Sequence, residues 1–83
     1  MATTELTFNN KIKLRVQDQI FLGRTLISTC LASPGEVCVL PAESSQYDIF
    51  FKNGATGREI ARKLNNKANR LTLSLQNGRY ILT

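Results

Sequence analysis

Thr56-Gly57-Arg58-Glu59-Ile60-Ala61-Arg62-Lys63-Leu64-Asn65-Asn66-Lys67-Ala68-Asn69-Arg70-Leu71 is the stretch on which the fold turns. Thr56 followed three residues later by Glu59 has the pattern of a capping box, in which the threonine hydroxyl accepts from the Glu59 amide and the glutamate reaches back. At about 100° per residue, Ile60, Leu64, Ala68 and Leu71 fall on one apolar stripe, with Ala61 at its margin. Arg58, Arg62, Asn65 and Asn69 lie opposite, and Lys63, Lys67 and Arg70 occupy a flank. The spacing predicts one helix over residues 57–69.

Everything around that stretch reads as strand. Lys11-Ile12-Lys13-Leu14-Arg15-Val16 alternates with period two, as a half-buried strand does. A three-residue loop, Asn9-Asn10-Lys11, would pair Phe8 with Ile12 and Leu6 with Leu14 and so keep apolar side chains together. Ile20 to Ala32 is mostly apolar and β-branched, interrupted at Gly23. Ser33-Pro34-Gly35-Glu36 reads as a turn, Val37 to Leu40 as a short strand stopped by Pro41, and Tyr47 to Lys52 as another. Consecutive Phe50 and Phe51 in the last of these predict that both its faces are covered. Leu71 to Leu75 alternates, Asn77-Gly78 is a preferred two-residue turn, and the returning strand sets Leu75 opposite Tyr80 and Leu73 opposite Leu82.

This order predicts an α+β fold. One helix packs on a mainly antiparallel curved sheet, or on a partly open small barrel, OB-like or β-grasp-like, with a C-terminal hairpin. At 83 residues, the chain is expected to form one domain over residues 1–83.

Composition narrows the chemistry. The chain has no histidine, so Ser–His–Asp, Cys–His and zinc–histidine sites are excluded. Two cysteines do not make a four-cysteine zinc site. The reading is therefore a chain with no catalytic residues, no metal site and no cofactor, and not an enzyme. The N-terminus shows no basic run followed by an apolar stretch, and no segment is apolar over the ~18 residues a bilayer needs, which predicts a cytoplasmic protein with no membrane partner. Cys30 and Cys38 flank the Pro-Gly turn. Their expected state is a pair of buried thiols, with a disulfide possible under a three-residue loop.

Charge is unevenly divided. The formal charge of +5 combines −1 over Met1–Ile49 with +6 over Phe50–Thr83. Lys52, Arg58, Arg62, Lys63, Lys67 and Arg70 supply nearly all of the second figure and mostly coat the expected helix. Lys11, Lys13 and Arg15 form a second row on the expected first hairpin, and Phe21, Tyr47 and Tyr80 are candidate stacking rings. A basic face with aromatic platforms is how non-specific single-strand binders work. The expected function is a non-enzymatic binding module taking nucleic acid, or another anionic partner, on the basic helix face. The alternative is a protein–protein adaptor or homo-oligomeric subunit that uses a sheet edge or the Phe50-Phe51 region, suggested by the limited core and the apolar density of Ile20 to Leu31.

Overall fold

The computed structural model describes residues 4–83, and these form eight strands with no helix. They are β1 (Glu5–Asn10), β2 (Val16–Leu22), β3 (Thr25–Ala32), β4 (Val37–Pro41), β5 (Tyr47–Asn53), β6 (Glu59–Asn66), β7 (Arg70–Gln76) and β8 (Arg79–Leu82). Two four-stranded sheets result, in the orders β4-β1-β7-β8 and β3-β2-β5-β6. Neither closes into a barrel, so the α+β expectation, in its OB-like and β-grasp-like forms alike, is corrected to all-β.

The expected helix is β6, paired antiparallel with β5. Its start is a turn organised by Asn53, whose side-chain oxygen accepts from the amides of Ala55 and Thr56 at 2.8 and 3.4 Å. Thr56 Oγ1 accepts from the Arg58 amide at 3.2 Å, not from Glu59, so no capping box forms. Gly57 takes φ +77, which an L side chain resists. At the other end Asn65 has φ +54, its amide donating to Asp48 Oδ1 at 2.9 Å, and a left-handed residue there ends any helix. The apolar stripe was short, and Leu64, one of its members, is 53% exposed. A helix of a dozen residues is marginal alone. Pairing with β5 instead satisfies a row of backbone donors and acceptors that β5 would otherwise leave open.

The first expected hairpin is also absent. Lys11–Arg15 is a connection, and β1 pairs antiparallel with β4 and parallel with β7. The buried Asn10 side chain causes this: it donates to the carbonyls of Leu14 (2.8 Å) and Ala32 (3.0 Å) and accepts from the Ile12 amide (3.1 Å). It gathers the chain end of β1, the connection and the end of β3 around one amide group. The C-terminal hairpin agrees with the sequence reading, with Leu73 opposite Leu82, Leu75 opposite Tyr80, and Asn77 and Gly78 both at positive φ.

One core lies between the sheets. Leu6, Phe8, Leu40, Leu71 and Leu73 from the first sheet meet Val16, Ile20, Ile49 and Phe51 from the second. Phe8 and Phe51 pack with centroids 4.9 Å apart. The chain passes from the second sheet to the first at Ser33–Glu36, between β3 and β4. Cys30 and Cys38 therefore meet between the layers instead of across a hairpin, and they form a disulfide with a Cα–Cα distance of 6.8 Å. The expectation of free thiols is corrected accordingly.

Asp18 alternates with the core residues Val16 and Ile20 on β2 and is fully buried. Its Oδ2 lies 3.5 Å from Cys30 Sγ and 3.7 Å from Cys38 Sγ, and Oδ1 has no hydrogen-bond partner among the described residues. Burial away from any cation raises its pKa from 3.8 to about 8.

Two outcomes follow from these buried polar groups. Asn10→Ala removes three hydrogen bonds and strands two carbonyls, and should cost about 3 kcal/mol in urea unfolding; a loss below about 1 kcal/mol would show that the amide does not organise the connection. In the disulfide form the folded chain keeps the Asp18 proton that the unfolded chain releases above its ordinary pKa. Stability should therefore be greatest below pH ~4 for this group and fall as pH rises to ~8, by at most about 1.4 kcal/mol per unit. Asp18→Asn should flatten that decline, as followed by denaturant midpoints across the range.

Candidate binding face

Alternation sends every second residue of the β3-β2-β5-β6 sheet away from the core. Because the strand registers place them opposite one another, Thr29, Gln19, Phe50 and Arg62 form a row crossing all four strands. On one side of it Phe21 faces Asp48, and on the other Lys52 faces Gln17 and Glu59. Among the described residues, no second layer lies over this surface. The expectation that both faces of β5 are covered is thereby corrected: Phe51 is buried, whereas Phe50 is half-buried on an open face.

The centre of the face is aromatic. Phe21 and Phe50 meet edge to face, with centroids 5.5 Å apart and planes at 88°. The Arg62 guanidinium carbon sits 5.1 Å from the Phe50 centroid, within cation–π range. Glu59 holds that guanidinium with two hydrogen bonds, from Arg62 Nε at 2.9 Å and Nη2 at 3.0 Å. Being exposed, the pair contributes orientation more than stability. Gln19, Phe21, Phe50 and Lys52 line a shallow depression of about 360 Å³, with Arg24 and Gly23 of the β2–β3 turn at one end and Asp48 and Glu59 at its sides. Gln19 Oε1 is enclosed there without a donor. Two cations, Arg24 and Lys52, and two carboxylates, Asp48 and Glu59, line it, so the depression has an apolar floor and a rim of mixed charge, with the Glu59-paired Arg62 beside it.

The six basic residues expected to share a helix face are dispersed. Lys52 and Arg62 stand together on this sheet face, opposite Glu59 and Phe50. Arg58 is exposed in the β5–β6 turn, Lys63 is exposed on β6, and Lys67 is exposed in the β6–β7 turn. Arg70 is on the other sheet, opposite Thr7. Lys11, Lys13 and Arg15 lie in the β1–β2 connection and form no strand row. Of the candidate stacking rings, Tyr47 is buried with its hydroxyl donating to the Ala68 carbonyl at 3.3 Å, and Tyr80 lies on the C-terminal hairpin. Only Phe21 reaches this face.

Gln19, Arg24, Asp48 and Glu59 were not among the expected site residues, and Phe50 was expected only within the Phe50-Phe51 region of the alternative reading. Phe50 was legible as a strand residue adjacent to a buried ring, and period two alone would have placed Phe50, Lys52 and Asp48 on one side. The rest depend on pairings distant in sequence. No protein family, curated protein or solved structure matches the chain. Among the described residues, no helix is long and apolar enough to cross a membrane.

Proposed function

We propose that the chain is a non-enzymatic binding module that takes single-stranded nucleic acid on the outer face of the β3-β2-β5-β6 sheet. The observation that carries this reading is the half-buried Phe50 ring, flanked edge-on by Phe21 and by the Arg62 guanidinium, on a sheet face that no layer of the described residues covers. A base stacks on an aromatic ring whatever its identity, and each such contact contributes roughly 1–3 kcal/mol. Arg24 and Lys52 line the depression and Arg62 stands beside the Phe50 ring, where they can meet phosphates, and exposed Arg58 and Lys67 add positive charge in the turns at the two ends of β6; Lys63, opposite the buried Ile49, lies on the other side of that strand. A cytoplasmic location belongs to the same reading, since single strands are met there.

A second reading has one observation of its own. β4 is an edge strand with Val37 and Val39 55% and 53% exposed, a row suited to pairing with another chain. It favours a homo-oligomeric subunit or adaptor.

Fluorescence anisotropy with a labelled oligothymidylate at low salt tests the first reading. Three phosphate contacts at about −0.7 each predict a slope near −2 for log affinity against log salt. Phe50→Ala should weaken binding roughly 5- to 100-fold, and Arg62→Glu should weaken it more than Arg70→Glu, the same charge change on the opposite sheet. Absence of binding at low salt, or equal effects of the two charge reversals with none from Phe50→Ala, contradicts it. Light scattering that shows a dimer dissociated by Val39→Lys would favour the second reading.

A further inference from the structure

The core holds one group that packing does not explain. Asp18 occupies a position where β2 otherwise places Val16 and Ile20, and no lysine or arginine is buried with it. An ionised carboxylate there, unpaired, costs several kcal/mol, and an aliphatic residue would cost nothing. Its carboxylate lies against the only two cysteines of the chain, one carried by β3 and one by β4. The three donor atoms lie within 4.8 Å of one another, at the point where the chain crosses between sheets.

We infer that in the dithiol form of the chain Asp18, Cys30 and Cys38 are three ligands of a thiophilic divalent cation, of which zinc is the best match. With Zn–S near 2.3 Å and Zn–O near 2.0 Å, the sulfur–oxygen edge of a tetrahedral site is about 3.5 Å. The observed separations of Asp18 Oδ2 from the two sulfurs are 3.5 and 3.7 Å. Two edges of the coordination figure therefore already exist. The remaining edge opens when the disulfide is reduced, and the Cα–Cα distance of 6.8 Å, at the wide limit for a disulfide, leaves the side chains room to rotate apart. A cation turns each liability into a ligand: it neutralises the buried carboxylate and two thiolates, and it gives Oδ1 a charged neighbour. The fourth position falls to water, because both cysteines are only partly buried. Composition alone pointed away from a metal, having no histidine and two sulfurs; the third donor becomes visible only when β2 is laid beside β3 and β4.

Metal binding and the disulfide exclude one another. A water-soluble phosphine reduces the bond, phosphorus giving two electrons to the sulfur pair and taking oxygen from water, while the sulfurs leave as two thiols. The cation then displaces the two thiol protons and the carboxyl proton to the buffer. Cobalt(II) is the probe. The phosphine-reduced chain, desalted without oxygen, should develop a thiolate-to-cobalt charge-transfer band that saturates at one equivalent and is bleached by one equivalent of zinc. Asp18→Asn should weaken cobalt binding by at least about tenfold, Cys30→Ser and Cys38→Ser should abolish the saturable band, and the disulfide form should show none. If the reduced native chain has lost its β-sheet dichroism, its return with zinc supports the site. No band in the reduced native chain, or equal cobalt affinity in Asp18→Asn, overturns the proposal; neither result bears on the nucleic-acid reading, which uses other residues.

Discussion

The β5–β6 ladder is the interaction on which the rest depends. It sets Phe50 opposite Arg62, Phe51 opposite Ala61 and Lys52 opposite Glu59. Without it, β5 would be the edge of a three-stranded sheet, and Arg62 would have no fixed relation to the Phe50 ring. The ladder is not a regular one. Irregularities between Tyr47 and Ile49 and between Phe51 and Lys52 let β6 carry extra residues, and the first is held by the Asp48 carboxylate on the Asn65 amide. Bulges of this kind twist an edge strand away from further pairing, which suits a strand whose exposed residues include Arg62, Lys63 and Leu64.

The sequence was most legible where local chemistry and fold agree. Asn77-Gly78 demands a tight turn, and the flanking alternation leaves one register that keeps Leu73 with Leu82. It misled where two periods fit the same residues. Ile60, Ala61 and Leu64 satisfy a helical stripe, while Thr56 and Glu59 are residues that also serve a turn and an ion pair. What decided between them was the unpaired side of β5, a fact of distant pairing. Asn10 shows the same limit: in sequence it is half of an Asn-Asn loop signal, and in the fold it is a buried bracket joining β1, the following connection and β3. The basic residues were identified as a group by composition, but strand geometry divides them, leaving Lys52 and Arg62 at the aromatic centre and Arg70 on the opposite sheet.

The buried polar groups differ in how they are accommodated. Asn10 has its amide fully engaged, and Asn66 closes a local ring with the Ala68 amide and carbonyl. These make the strand ends specific, as satisfied buried polar groups do. Asp18 is engaged by nothing except sulfur. In so small a chain, where the core buries a limited share of surface, a carboxyl group retained without a hydrogen bond marks a position shaped by something other than packing. The sheet junction and the aromatic face thus divide the molecule: one side of β2 carries Asp18 toward the cysteines, and the other carries Gln19 and Phe21 toward solvent.

The pairing of β6 is best tested by backbone NMR. The structure predicts cross-strand Overhauser contacts between Phe51 and Ala61 and between Phe50 and Arg62, with extended couplings from Ile60 to Leu64. A run of sequential amide–amide contacts with i,i+3 contacts through Ile60 to Asn69, and no contact to β5, would establish a helix there and contradict the account.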